Sequence, residues 1–362
     1  MMFTRAMNAT FRLSAICRTI AFVCLLPNLA AAEEPALAPV NPVDQACDDI
    51  AGCANARGCH DWCFQGGCCE RGISVRVDGL LLNRESARDR LLVADVPSLN
   101  PRITAADLDF DLEFGLRASA IWDRTPCVSW EFAYLRDDWD AAARATSPTG
   151  LSQISAGPGD AYNWANDISV RYGTDLDSFE INRYRKMTDR FSWLAGFRAI
   201  LLDESFLLVS VDENGGGPGL ATGTYGIDTS NELLGFQVGG VYSRSLTDLL
   251  SFDGVLKAGV YYVESDLSVD FTDEGNFPNP PVAFQTSDYT TAFVGEIDLG
   301  LSCKLTRRLS VRGGLELLWI EGVALAPEQY QMNYAMISPA TAINTGGGFL
   351  AYGGSVSLVG EW

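Results

Sequence analysis

Apolar and polar residues alternate one by one along much of this chain, most clearly from Leu108 to Trp122. Even positions in that segment are apolar, whereas odd positions, such as Asp109 and Arg117, are mostly polar or small. Successive side chains of a β-strand point to opposite faces, so a period of two predicts a strand with one apolar and one polar face. We find no helical periodicity longer than two turns, and the sequence therefore predicts an all-β fold.

Ten segments carry this pattern, and the connections between them alternate strictly between short and long. The predicted strands are 73–82, 108–122, 127–137, 167–185, 190–202, 231–244, 249–265, 288–303, 308–321 and 348–361. The short connections are 123–126, 186–189, 245–248 and 304–307, and the long ones are 83–107, 138–166, 203–230, 266–287 and 322–347. Outer-membrane barrels combine short periplasmic turns with long external loops and an even strand count. The layout therefore predicts a transmembrane up-and-down antiparallel β-barrel of about ten strands over residues 73–362.

The first 32 residues have the three parts of a secretory signal peptide. Arg5, Arg12 and Arg18 form a basic start, residues 19–26 are a short apolar run, and small residues end the segment at Ala32. We predict export with cleavage after Ala32; an uncleaved anchor is the alternative. Residues 33–46, rich in Pro and Ala, are typical of a linker.

Alternation alone does not say whether the apolar face of the strands points inward, as in a soluble barrel, or outward to lipid. The export signal, the loop layout and the C-terminal segment favour the outward arrangement. That segment, Ser355 to Trp362, is amphipathic and ends on an aromatic residue, and it resembles the assembly signal of bacterial outer-membrane barrels. The predicted partners are therefore outer-membrane lipid and the barrel-assembly machinery. A soluble exported β-protein is the alternative.

The polar face of the strands would then line the lumen. Its charged candidates are Arg76, Asp78, Asp109, Asp111, Glu113, Arg117, Glu131, Glu180, Arg198, Asp253, Lys257, Glu296, Asp298, Arg312, Glu316 and Glu361. Barrel diameter grows with strand number, and water-filled porins need about 16–18 strands. We therefore expect these groups to pair with each other across a narrow lumen, for example Glu296 and Asp298 with Arg312. An ion path through the barrel is the alternative.

Residues 47–72 form a small Cys-rich segment ahead of the barrel. Eight cysteines remain after the signal peptide: Cys47, Cys53, Cys59, Cys63, Cys68, Cys69, Cys127 and Cys303. An even count in an exported protein predicts disulfides, and the absence of a C-x-x-C spacing disfavours a zinc site. Cys127 and Cys303 fall at the turn ends of strands on opposite sides of the barrel, so we expect no direct bond between them. Their pairing with the Cys-rich segment is a hypothesis.

Charge and histidine content argue against two classes of function. A net charge of −20 disfavours nucleic-acid binding, and it permits divalent cations or a basic partner at the acidic external loops. His60 is the single histidine and lies in the Cys-rich segment, so no Ser–His or His–carboxylate pair is expected in the barrel. We predict no enzyme activity, no metal site and no cofactor.

Two segments carry a family resemblance. Phe191 to Ser205 contains GFR, an aliphatic stretch and DES, and Asn231 to Tyr242 reads NELLGFQVGGVY. The chain resembles the putative β-barrel porin families of bacterial outer membranes over about residues 72–362. The resemblance implies a porin-like outer-membrane barrel, structural or passing small solutes, and no catalytic residues carry over. The alternative is a non-transporting surface barrel whose acidic external loops bind a partner or divalent cations.

Overall fold

A computed structural model describes residues 72–362 with gaps at 89, 97, 99, 126, 153–162, 213–220, 275–279 and 332–336. The predicted signal peptide with its cleavage site after Ala32, the linker, and residues 47–71 of the Cys-rich segment lie outside the described residues. No helix in the described ranges is long and apolar enough to cross a membrane.

The described residues form twelve strands, and ten of these close into one antiparallel barrel. The strands are β1 (Ile73–Arg84), β2 (Leu91–Asp95), β3 (Pro101–Thr104), β4 (Glu113–Thr125), β5 (Val128–Ser152), β6 (Asn163–Lys186), β7 (Phe191–Asp212), β8 (Ala221–Ser245), β9 (Leu250–Asp273), β10 (Val282–Lys304), β11 (Leu309–Val323) and β12 (Gly347–Glu361). Around the barrel the order is β1, β4, β5 and then β6 to β12, and β12 closes on β1 through pairs such as Val77 with Leu358. The predicted ten-stranded up-and-down barrel is confirmed.

The remaining two strands, β2 and β3, form a hairpin in the long connection between β1 and β4. The hairpin extends the sheet at the outer end of β5, where Ala94 pairs with Ser152. A 3-10 turn follows at Ala105–Asp107, and the Asp107 carboxylate accepts the Thr104 N–H at 2.8 Å. A second 3-10 turn, Ala326–Gln329, lies in the connection between β11 and β12.

The barrel wall has a tall half and a short half. β5 to β10 have 22–25 residues each, whereas β1, β4, β11 and β12 have 12–15. A difference of about ten residues corresponds to about 30 Å at roughly 3.3 Å per residue. The prediction of loops over 138–152, 203–212 and 266–273 is wrong, because these residues continue β5, β7 and β9.

The orientation of the apolar face changes between the two levels of the tall half. Above the level of the short strands, Phe206 and Leu208 of β7 are buried inside, while Asp203 and Ser205 face out and are exposed. At the lower level the outward face of the same strand carries Phe197, which is 65% exposed. Acidic residues on an outward face are therefore compatible with a strand, and they do not mark a loop.

One edge of the tall half has no strand neighbour in the described part of the chain. β11 pairs with β10 only as far as Phe293, which lies opposite Glu321. Residues 282–292 of β10 pair with β9 alone. The wall is therefore a closed cylinder only up to the level of Phe293.

An apolar belt surrounds the closed part of the barrel. Its members are large hydrophobic side chains that point outward and are exposed: Val75, Val77, Phe114, Leu116, Phe132, Phe179, Ile181, Phe197, Leu201, Leu234, Phe236, Leu256, Val260, Tyr262, Phe293, Leu299, Leu315, Trp319, Val356 and Leu358. Side chains at the alternate positions of the same strands, such as Arg198 and Lys257, are buried inside. Apolar outside and charged inside is the arrangement of a membrane barrel and the reverse of a soluble one.

The segment before β4 departs from the prediction of one strand over 108–122. β4 begins at Glu113, and Leu108 and Phe110 are buried, whereas Leu112 is exposed. The Asn83 amide donates to the Phe110 carbonyl at 2.7 Å, which holds this segment against β1. The sequence also predicts that Asp109 and Asp111 line the lumen. Both are exposed in the structure and lie before β4 begins, so this assignment is wrong.

Candidate functional site

The lower barrel interior holds a layer of charged side chains, here called the charged layer. Its cations are Arg76, Arg117, Arg198, Lys257 and Arg312, and its carboxylates are Asp78, Glu180, Asp253, Glu296, Asp298 and Glu316. Most of them are buried. Five cations face six carboxylates, so the layer is close to neutral.

Arg117 of β4 links two sides of the barrel. Its guanidinium contacts Asp78 of β1 at 2.5 Å and donates twice to Glu316 of β11, at 2.5 and 3.0 Å. β1 and β12 lie between β4 and β11 in the wall, so the Arg117–Glu316 pair crosses part of the lumen. Arg76 joins the same group by donating to Asp78 at 2.6 Å and to Asp298 at 3.1 Å.

A second group of two cations and two carboxylates lies on β6, β7, β9 and β10. Lys257 Nζ contacts Glu180 at 2.8 Å and Glu296 at 3.1 Å. Arg198 contacts Glu296 at 2.6 Å and Glu180 at 3.4 Å. Gln237 donates at 2.8 Å to Glu180 Oε2, the oxygen that Lys257 contacts. Each buried charge therefore has partners of opposite sign, and removing one partner of such a pair costs about 3–5 kcal/mol.

Arg312 extends the first group, to which Asp298 belongs, as far as Asp253 of β9. Its guanidinium lies 2.6 Å from Asp298 and 2.7 Å from Asp253. The sequence pairs Arg312 with both Glu296 and Asp298; in the structure Arg312 contacts Asp298, and Glu296 contacts Arg198 and Lys257 instead. Arg312 fits because Gly300 on the neighbouring strand β10 has no side chain: a Cβ atom at that position would be 2.2 Å from the Arg312 Cζ atom.

Three other predicted lumen residues lie at the margins of the charged layer. Glu131 of β5 accepts hydrogen bonds from Asn182 at 2.9 Å and from the Tyr184 hydroxyl at 2.5 Å. Glu113 is half-buried at the start of β4, and Glu361 is exposed at the end of β12. These three make no ion pair in the described residues.

Above the charged layer, the connection between β11 and β12 folds into the barrel. Its first part, residues 324–331, is here called the strap, and residues 324–330 are all buried. Asn231 of β8 holds both backbone groups of Ala324: the amide nitrogen donates to the Ala324 carbonyl at 2.9 Å, and the amide oxygen accepts the Ala324 N–H at 2.8 Å. The strap therefore forms a second layer that fills the upper interior.

Aromatic contacts complete the docking of the strap. The Tyr330 ring lies 5.3 Å from the Tyr225 ring and 5.9 Å from the Phe206 ring, measured between centroids. The Tyr225 hydroxyl accepts the Gln331 N–H at 3.2 Å. Leu92 of the β2–β3 hairpin is buried in the same apolar cluster. The hairpin and the strap together cover the upper interior.

A buried ion pair anchors the strap to the wall. Arg84 of β1 pairs with Glu204 of β7, and the other Glu204 oxygen accepts the Ala326 N–H at 2.8 Å. The Arg84 Cζ atom lies 4.6 Å from the Phe110 ring centroid and 4.7 Å from that of Tyr172. Stacked rings favour a guanidinium electrostatically, which helps to offset the cost of burying Arg84.

Glu328 lies in the 3-10 turn of the strap, outside the strands. Burial raises its pKa, and Arg88 and Arg90 oppose that rise, while Glu204 and Glu321 add to it. Asn344 donates to the Glu328 carboxyl at 3.2 Å. The strap thus carries a carboxyl whose neutral form is favoured by its surroundings.

Sequence reasoning missed Arg84, Glu204, Asn231 and the strap. Arg84 and Glu204 fall in stretches predicted as external loops, and 120 residues separate them. The only local signal is in the strap, where Val323 to Pro327 (VALAP) is apolar within a connection predicted to be exposed.

The outward face of the tall half is acidic. Asp138, Asp175 and Asp203 lie directly opposite one another on β5, β6 and β7. A pocket of about 580 Å³ on this face is lined by Asp175, Asp203, Asp228 and Asp266 together with Ser, Thr and Gln residues. Within the described residues, no group of three or more His, Cys, Asp or Glu side chains is arranged to hold a metal ion.

The two barrel cysteines differ in state. Cys127 is disulfide-bonded, whereas Cys303 is a free and buried thiol. The assignment of Cys303 as a disulfide cysteine is therefore wrong in this structure, because its thiol is enclosed at the end of β10. The cysteines from Cys47 to Cys69 lie outside the described residues.

Several solved structures align with the chain at low similarity. The outer membrane protease OmpT from Escherichia coli aligns with 11% identity and a TM-score of 0.41, over 80% of this chain and 95% of that one. A FadL homologue of Pseudomonas aeruginosa aligns with 11% identity and a TM-score of 0.29, over 81% and 90%. The Ralstonia pickettii toluene transporter TbuX aligns with 8% identity and a TM-score of 0.30, over 80% of this chain and 89% of that one.

No curated protein matches the chain significantly in sequence. The family described as putative beta barrel porin-7 (BBP7) matches residues 163–346, which is just over half of the chain. The match runs from the start of β6 to the end of the β11–β12 connection and so includes the strap. With its closed ten-stranded barrel and this match, the chain belongs to the putative beta barrel porin-7 family.

Proposed function

We propose that the mature chain is a non-enzymatic, porin-like outer-membrane barrel that is closed at rest and has a structural role at the cell surface. The observation that carries this proposal is the filling of the interior by two stacked layers. The lower one is the charged layer, and the upper one is the strap with its apolar surroundings.

The size of the barrel supports a closed interior. Ten strands enclose a narrow lumen, whereas porins with an aqueous channel have about 16–18 strands. Arg198 and Arg312 are only 1% and 2% exposed, although both are long side chains that a water-filled channel would hydrate. Ion pairs such as Arg117–Glu316 occupy the cross-section that a solute would have to pass.

The apolar belt supports insertion in a bilayer, and the loop layout supports an orientation. The turns after β4, β6, β8 and β10 are short, as the periplasmic turns of outer-membrane barrels are. The tall half and the strap then lie on the external side. The predicted signal peptide would deliver the chain to this compartment.

Conductance in planar bilayers tests the proposal. The refolded mature chain should give no steady ion conductance. A variant without the strap should also stay closed, because the charged layer remains, and so should Arg198→Ala combined with Lys257→Ala, because the strap remains. Only the variant with both changes should conduct. Steady conductance of the unmodified protein would contradict the closed state.

A second candidate function is partner or divalent-cation binding at the acidic outer face. The row Asp138, Asp175 and Asp203 favours it, because like charges directly opposite in a sheet are destabilising. A cation or basic partner would relieve this repulsion. Millimolar Ca²⁺ should raise the unfolding midpoint of the unmodified protein more than that of Asp138→Asn combined with Asp203→Asn. Equal shifts would refute this function.

A further inference from the structure

Two arginines interrupt the apolar belt on β6. From the turn upward, the outward positions of β6 are Arg185, Arg183, Ile181 and Phe179. Ile181 and Phe179 are 47% and 52% exposed, as expected of belt residues. The next outward position is Asp177. The apolar stretch of β6 is therefore only two outward residues long.

The neighbouring strand shows how deep the two arginines lie. Arg183 is opposite Ala195 of β7, and Arg185 is opposite Trp193. β7 continues to Phe191, one outward position further toward the turns, and Phe191 is 43% exposed. Both arginines therefore lie within the apolar belt, at the edge nearest the short turns, and not beyond it.

Trp residues flank the arginine pair on both sides. Trp130 of β5 is opposite Arg183, and Trp193 of β7 is opposite Arg185. Tryptophan is enriched at the boundary between hydrocarbon and headgroups. A long arginine stem can lie along the apolar wall while the guanidinium reaches that boundary.

No carboxylate of the described residues lies within ion-pairing distance of Arg183 or Arg185. Their neighbour Lys186 already pairs with Asp189 at 3.6 Å. Two outward positions of one strand are about 7 Å apart, so the two guanidinium groups repel each other unless an anion lies between them. At the edge of a bilayer, the available anion is a lipid phosphate.

We propose that Arg183 and Arg185, flanked by Trp130 and Trp193, bind the phosphate headgroup of an anionic phospholipid in the leaflet at the turn side of the barrel. Guanidinium groups bind phosphate through paired N–H donors. This inference rests on the proposed membrane location. It adds a lipid class and a site that membrane insertion alone does not require.

Native mass spectrometry of the refolded full chain tests the proposal. The protein is inserted into phosphatidylcholine vesicles with and without phosphatidylglycerol, and the lipids retained after detergent extraction are counted. The variants are Arg183→Gln combined with Arg185→Gln, and the matched control Arg171→Gln. Arg171 is exposed on the same outward face of β6 but at its far end.

The unmodified protein and the control should retain phosphatidylglycerol in about 25-fold preference to phosphatidylcholine. Each arginine near an anionic surface contributes about a fivefold preference, and two arginines therefore give about 25-fold. The double variant should show no preference. Equal preference in all three proteins would overturn the proposal. Displacement of the lipid by millimolar inorganic phosphate would also overturn it, since the site would then bind free phosphate. A chain that inserts into neither vesicle would refute the membrane location itself.

Discussion

Asn231→Leu should release the strap or weaken the whole barrel. The side chains are similar in size, so the change removes hydrogen bonds with little change in volume. Asn231 is fully buried, and it holds both the N–H and the carbonyl of Ala324, at 2.8 and 2.9 Å. Its oxygen also accepts from Ser265 at 2.8 Å. In the variant, both Ala324 backbone groups are buried without a partner.

The magnitude follows from these two backbone groups. A buried donor or acceptor that loses its partner costs about 1–3 kcal/mol, so the two Ala324 groups cost about 2–6 kcal/mol. If the strap stays docked, the free energy of unfolding falls by that amount. If it undocks, water satisfies Ala324, and the loss is limited to the docking free energy of the strap.

Two measurements separate these outcomes. Urea unfolding in lipid vesicles should show a midpoint lowered by about 1 M or more, for a slope of roughly 2 kcal/mol per M. Limited proteolysis should show new cleavage in the strap if it undocks. The matched control is Glu232→Gln, the next residue, which faces out. Asn231→Leu with the midpoint and the cleavage pattern of the unmodified protein would refute the strap's anchoring role.

Three further predictions test the interior and the cysteines. Gly300→Ala should lower the unfolding midpoint, because the added Cβ atom displaces the Arg312 guanidinium. Gly295→Ala on the same strand should leave the midpoint unchanged, because its added Cβ atom would be 3.6 Å from its nearest neighbours. Equal effects of the two substitutions would contradict this account of the packing. Burial raises the pKa of Glu328, so its carboxyl binds a proton more tightly in the folded state than in the unfolded state. The contribution of Glu328 to the free energy of unfolding therefore falls as pH rises from the usual pKa of a glutamate to the raised pKa in the folded state. Glu328→Gln should remove that pH dependence, and an unchanged pH profile of the unfolding midpoint would rule it out. Peptide mapping without reduction should find Cys127 linked to the Cys-rich segment, and a free Cys127 thiol would disprove that link.

The barrel itself was predictable because its physical cause is local. A strand that crosses lipid must alternate, and turns at the inner rim are short, so both features can be read from neighbouring residues. Arg117, Glu296 and Arg312 could be assigned to the interior from their phase alone. The pairing of Arg312 with Asp298 could be predicted as well, but the pairing of Glu296 with Arg198 and Lys257 could not, since it depends on the tilt and stagger of the closed barrel.

The tall half and the strap were not predictable by the same reasoning. Charged residues such as Asp203 suggested an external loop, but above the bilayer the outward face of a strand is wetted and tolerates charge. Apolar side chains such as Phe206 then turn inward, and the apolar face switches sides along one strand. The strap depends on Asn231 and Glu204, which lie about a hundred residues from it in the chain.

The unequal height of the wall fixes how deep the barrel can sit. Along residues 282–292 of β10, the backbone groups that face away from β9 have no strand partner in the described residues. An unsatisfied backbone group in hydrocarbon costs several kcal/mol, so this edge must border water or other parts of the protein and not lipid. The upper limit of the hydrocarbon is therefore set at Phe293, where β11 ends. The short strands, and not the tall ones, therefore determine the height at which the membrane ends on the barrel wall.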